Sequence, residues 1–244
     1  MANPFFEAIV KHLSRVETPS PRTAEQWAQV PRDIRERAFF SAQVTNTRHL
    51  QKLKDQVADI LAPRTDIDPG GKRVTRGLDL ATARLEIKQM LESIGYDPGV
   101  KRGTIEDLSS DQRINLQITQ NTESAQGFGN FLQSTETGAI DAYPAQELFR
   151  AEDRMEPRDW PERWQEAGGQ LFGDRMIALK EDPIWESISR FDAPYPPFDY
   201  NSGMWVRDVA RSEAEDLGLL LPGQPANPPS ASFAPKDAPE PALE

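Results

Sequence analysis

The residues best suited to chemistry in this chain are two histidines, a large surplus of carboxylates and a dense group of rings and prolines between positions 160 and 205. His12 and His49 are the only histidines, and each sits in a helical stretch with no second histidine or carboxylate at metal-ligand spacing. Surface or partly packed imidazoles are expected. There is no cysteine, so thiol catalysis, disulfides and cysteine-ligated metals are absent. A Ser-His mechanism has little material to work with. The acids Glu181, Asp182, Glu213, Glu215 and Asp216 could supply the carboxylate pair of a glycosidase. Among 39 Asp and Glu residues, however, chance pairs are expected, and a solvated acidic face is the expectation. The run Asp66-Ile-Asp-Pro-Gly-Gly-Lys72 fails as a phosphate loop, because Asp66 stands where a glycine is needed and Arg73 where Ser or Thr is needed. It reads as a turn. Lys72, Arg73 and Arg76, with Lys101 and Arg102, could meet phosphate, but pairing with neighbouring acids is the expectation under a net charge of −11.

The rings carry more information. Trp160, Trp164, Trp185, Phe191, Tyr195, Phe198, Tyr200 and Trp205 fall within 46 positions. A small domain with little regular structure uses such rings for its core, and the same residue types carry interface energy. The core takes the larger share, and both readings stay open for individual rings. The residues put forward for docking are Trp185, Phe191, Tyr195, Pro196, Pro197, Phe198, Tyr200, Asn201 and Trp205.

Apolar spacing outlines the elements that must hold these groups. Phe5, Phe6, Ile9, Val10 and Leu13 share one face of a short helix. Thr23 can cap a turn carrying Trp27, and Pro31 suits the start of a helix holding Ile34, Ala38, Phe39 and Phe40. Leu50, Leu53, Val57, Ile60 and Leu61 give a 3–4 stripe that Pro63 ends. A helix over 78–94 stops at Gly95, and after Ser109-Ser110 as N-cap a polar helix runs towards Leu132, with Gly127 and Gly129 weakening its far end. From about Asp141 the character changes to short strands at 145–151, 171–172, 176–179 and 205–209, with short helices around Trp160 and Trp185. Residues 191–204 read as an aromatic, proline-rich loop, and 212–215 as a capping box opening a last helix.

The expected class is therefore α+β: a mainly helical region over 1–140, a small mixed α/β domain over 141–221, and a disordered tail over 222–244, where seven of 23 residues are proline. The 37% hydrophobic content and a mean hydropathy of −0.64 fit a thin core. The acidic balance disfavours direct nucleic-acid binding. No secretory signal or membrane-length apolar run is visible, so a soluble, intracellular chain is expected.

Two segments resemble a known family. Residues 119–125 (Thr-Gln-Asn-Thr-Glu-Ser-Ala) are similar to the helix of Mu F-like phage head morphogenesis proteins, where Arg-Thr-Glu-x-x-x-Ala is usual. Residues 195–204 resemble that family's closing motif of Pro-Pro, His, Pro-Asn and Cys-Arg-Cys before a terminal strand. Pro196, Pro197 and Asn201 fit it, 205–209 supplies the strand, and 146–150 occupies the place of the strand between. Asn121 stands near the usual arginine, and Ser202 and Met204 stand at the usual cysteines, so no metal chemistry carries over. Residues 158–164 and 182–185 resemble a divergent prophage branch, and the likeness spans about 114–221. The resemblance implies a minor head protein near the portal vertex, without enzymatic activity or cofactor. It would reside in the virion, and in the host cytoplasm during assembly, touching portal, major capsid or scaffold subunits in a homo-oligomeric arrangement. Its helical stripe and aromatic loop would make those contacts. The alternatives are an internal or ejected DNA-associated protein using the basic clusters, and a hydrolase or toxin with a carboxylate site.

Overall fold

The computed structural model describes residues 3–67, 73–76 and 79–229. The fold is mixed α+β, and the chain divides into two compact units, Phe5–Gln126 and Gly127–Glu244, the latter with Met1–Pro4. The division comes earlier than position 140 because Phe128 and Phe131 belong with Tyr195, in a cluster of the second unit.

In the first unit, α1 (Pro4–Ser14) is followed by β1 (Val16–Glu17), α2 (Ala24–Ala28), α3 (Arg32–Arg37) and β2 (Ala38–Phe39). Then come α4 (Thr47–Leu61), the antiparallel hairpin β3 (Arg64–Ile67) and β4 (Arg73–Arg76), α5 (Leu80–Ser93) and α6 (Asp111–Ser134). Thr23 and Gln26 form a reciprocal capping box on α2. Asn46 caps α4, and Leu50, Leu53 and Val57 pack with Ile87, Leu91, Ile114 and Ile118 in one core. Gly95, with φ +72°, lets the chain turn sharply after α5. Residues 68–72, where most of the predicted turn falls, lie outside the described residues, as do 77–78 and 230–244.

Three local expectations in the first unit need correction. Ala38 and Phe39 do not continue a helix: Ala38 is extended (φ −94°, ψ 135°), and the pair runs parallel to Val16 and Glu17. Three consecutive apolar residues cannot share one helical face, and the extended backbone buries Phe39 while Phe40 stacks on Trp27 at 4.0 Å. On α1 the buried residues are Ala8 and His12, whereas Phe5, Phe6, Val10 and Leu13 are exposed. The histidines are not at the surface. His12 is 1% exposed and His49 is 0% exposed. The Nε2 of His12 lies 2.8 Å from the Lys54 carbonyl, and neither ring nitrogen of His49 has a partner among the described residues. Burial drives both imidazoles down to about 4, with Arg15 and Lys54 adding repulsion at His12 and Arg113 at His49.

The second unit contains the end of α6, then α7 (Thr137–Ala142), β5 (Ala145–Arg150), α8 (Trp160–Glu166), β6 (Leu171–Phe172) and β7 (Arg175–Leu179). It closes with α9 (Ile184–Ser187), β8 (Met204–Val209) and α10 (Arg211–Asp216). The four strands form one antiparallel sheet in the order β6-β7-β5-β8, with β5 paired along its length to β8 from Ala145↔Val209 to Arg150↔Met204. Alternation along the strands separates two faces. Leu148, Met176, Ala178 and Met204 meet Trp160, Trp164 and Trp185, while Ala145, Ile177 and Val209 meet Ala214 of α10. The expected capping box does not form. α10 begins at Arg211, one residue after Ala210, so Ser212 is already inside the helix, and no side chain caps it.

Candidate functional site

The segment linking α9 to β8 contains no helix or strand, yet most of it is buried. Its backbone is held by side chains on a neighbouring stretch. Arg154 Nε donates to the Asn201 carbonyl at 3.0 Å, Arg158 Nη2 to the Tyr200 carbonyl at 2.9 Å, and Arg163 Nη1 to the Asp199 carboxylate at 2.9 Å. Ser189 Oγ accepts the Phe191 and Ala193 N–H groups, and Ser202 Oγ accepts the Met204 N–H as β8 begins. The Pro196–Pro197 peptide bond is cis. All of these hydrogen bonds but the Arg163–Asp199 pair satisfy backbone groups that the missing ladder leaves open.

The residues put forward for docking separate by burial. Trp185 and Phe198 are fully buried, with ring centroids 6.1 Å apart, and Trp185 Nε1 donates to the Leu179 carbonyl at 2.8 Å. They are core residues and offer no surface. Tyr195, Pro196 and Pro197 are also buried, with Tyr195 edge-on to Phe128 at 5.6 Å. Phe191, Tyr200 and Trp205 are half-buried and Asn201 is exposed, so these four retain surface. The rings of Phe191 and Tyr200 meet at 5.0 Å, nearly perpendicular. Met204 joins the core cluster, and among the described residues no group of three His, Cys, Asp or Glu side chains could hold a metal ion.

Gly127 has a packing role that sequence could not reveal. A Cβ there would collide with the Pro196 carbonyl, so the last turns of α6 lie against the loop only because that side chain is missing. Gly127→Ala is expected to destabilise the second unit by about 2 kcal/mol or more. Urea unfolding followed by tryptophan fluorescence reads this, and an unchanged midpoint would contradict the close approach.

Between α6, residues 194–196 and β8 lies a cleft of ≈ 230 Å³. Phe131, Tyr195 and Trp205 line it together with the amides of Asn130, Gln133 and Gln146 and the Asp208 carboxylate. Asp208 Oδ1 pairs at 2.6 Å with the buried Lys180 ammonium, which also donates to the Ser134 carbonyl at 3.0 Å. Burial lowers the Lys180 pKa against the opposing pull of Asp208. The three amides were missed because isolated Asn and Gln residues carry no spacing signal.

Several of the carboxylates are engaged structurally. Burial alone would raise the Glu147 carboxyl, but Arg175 and Arg207 at 2.7 and 2.9 Å outweigh it and hold it below the usual range. Of the acids singled out from sequence, Asp182 accepts the Ile184 N–H, Glu213 pairs with Arg175 and Glu215 accepts the Gly223 N–H. Lys101 pairs with Glu106, and Arg102 with Asp97. The side chains of Lys72, Arg73 and Arg76 lie outside the described residues.

No protein-family model, curated protein or solved structure matches the chain. No helix among the described residues is long and apolar enough to cross a membrane.

Proposed function

We propose that this chain is a non-catalytic minor head component of a tailed phage, acting near the portal vertex through contacts with portal, capsid or scaffold subunits. The observation that carries the reading is that the segments bearing the family resemblance at 146–150 and 195–209 fold as one piece. β5 pairs with β8 over six residues, and the Pro-Pro loop that feeds β8 is fastened by Arg154, Arg158 and Arg163. A preorganised loop on a sheet suits docking, because little order is lost on contact. The docking surface is narrower than the ring cluster: Phe191, Tyr200, Asn201 and Trp205 in the second unit. The exposed Phe5, Phe6, Val10 and Leu13 of α1 form a second apolar surface of the kind that marks interaction sites.

A DNA-associated role is less well supported, since Lys101 and Arg102 are already paired with acids. The test is co-sedimentation of the purified chain with portal oligomers from the same phage. The chain is expected to travel with the portal, and Trp205→Ala combined with Tyr200→Ala is expected to weaken binding about tenfold, the scale of one interface anchor. No association of the folded wild-type chain with portal, capsid or scaffold protein would overturn the reading.

A further inference from the structure

Residues 127–221 hold nine Lys and Arg against nineteen Asp and Glu. Four of those nine, Arg150, Arg154, Arg158 and Arg163, nevertheless lie within fourteen positions and meet at one place. Three of them donate to 199–201, and Arg150 joins them by donating from Nη2 to the Arg158 carbonyl at 3.3 Å. Two carboxylates answer the four charges. Glu152 pairs with Arg154 at 2.8 Å, and Asp199 is shared by Arg163 at 2.9 Å and Arg158 at 3.8 Å. Arg150 has no ion pair among the described residues, and its Nη1 has no partner there. An acidic unit thus carries a local positive surplus beside the exposed Asn201 and the half-buried Tyr200.

Fastening the loop does not use these side chains up. A guanidinium carries several N–H donors in a planar fork that matches a carboxylate, and the contacts to 199–201 and Glu152 engage one or two nitrogens of each. The side chains of Arg154, Arg158 and Arg163 stay 30%, 46% and 30% exposed, so the open forks are within reach of a ligand. We infer that Arg154, Arg158 and Arg163, with the charge of Arg150 behind them, recognise a short acidic segment of a partner protein, its carboxylates taking the open forks and its backbone running past Tyr200 and Asn201. A nucleic acid fits less well. Its phosphates would continue beyond the cluster onto Asp153, Glu156, Asp159 and Glu162, which are exposed and interleaved with the arginines in sequence. The inference gives a partner chemistry to the Tyr200–Asn201 end of the docking surface proposed above, and it rests on that reading only for this end being an interface.

Titration of the ¹⁵N-labelled full-length chain with the peptide hexaglutamate, followed by NMR, tests this on the unaltered protein. The Nε–H signals of Arg154, Arg158 and Arg163 are expected to shift, while those of Arg175 and Arg207, which donate to Glu147, stay in place. Hexaglutamine is expected to shift none of them. Arg158→Gln is expected to weaken binding about tenfold, and Arg150→Gln, which leaves the three fastening bonds intact, about threefold. Three results would overturn the proposal: no shift at the three arginines, shifts of equal size at Arg175 and Arg207, or tighter binding of hexathymidylate than of hexaglutamate. The sample contains no portal, capsid or scaffold protein. Failure here with portal binding retained therefore removes the acidic partner alone, and binding here without portal association removes the head role alone.

Discussion

Trp185→Ala is expected to cost the second unit about 3–5 kcal/mol, the scale of removing a fully buried tryptophan, with about 1 kcal/mol more for the abandoned Leu179 carbonyl. The ring is 0% exposed, sits 5.2 Å from the Trp164 centroid in an edge-to-face pair and anchors a hydrogen bond. Such a loss takes most of the stability of a small domain, commonly about 5–15 kcal/mol. Trp205→Ala, on the half-buried edge strand, is expected to cost much less while weakening partner binding. Urea unfolding of the two variants side by side checks the division. A Trp185 variant as stable as the Trp205 variant would mean that core and docking rings have been assigned the wrong way round.

Acidification is expected to loosen the first unit before the second. His12 and His49 titrate near 4 in the fold, against about 6.5 in an unfolded chain. Above pH 6.5 both states are neutral, and the stability is fully present. As pH falls from 6.5 towards 4, the unfolded chain binds protons that the folded chain refuses, so stability drops by up to about 3 kcal/mol per histidine. The carboxylates lowered in this unit, Glu17, Asp79, Glu106, Asp107 and Asp111, lose their contribution only at lower pH, below their ordinary range. The window between 6.5 and about 4.5 therefore isolates the imidazoles. The protection factors of α4 amides, with the pH dependence of intrinsic exchange removed, should fall across it while those of β5 amides change little. His49→Leu should flatten half of the effect, because neither His49 nitrogen has a partner to lose. An equal fall in protection in both units, or none, would contradict the assignment.

The spacing of Leu50, Leu53 and Val57 is enough to locate α4, since a 3–4 stripe has only one way to bury itself. The strands expected at 145–151, 171–172, 176–179 and 205–209 form within one residue of those bounds, because short apolar runs between turn residues mark them. Where several apolar residues run consecutively, as at 38–40, helix and strand look alike from sequence, and the pairing with Val16 and Glu17 decides. The environment of His49 could not be read locally, because the Arg113 charge that adds to the lowering of its pKa is more than sixty residues away in sequence. Gly127 looked like a weak point in a helix until the Pro196 carbonyl appeared beside it. Among the rings, type and clustering pointed to the region, but only packing separates Trp185 and Phe198 in the core from Phe191, Tyr200 and Trp205 near the surface. Even less of the cleft was legible: its amides are brought together from the end of α6 and from β5, with no shared motif.

Quantitative mass spectrometry of purified particles from the genome that encodes this chain tests the proposed phage-head role most directly. Peptides of this chain are expected in heads or assembly intermediates at a fixed low ratio to portal protein, and they are expected to be lost when the Phe191, Tyr200 and Trp205 surface is replaced in a folded variant. Particles and intermediates that assemble normally without any of this chain would contradict it.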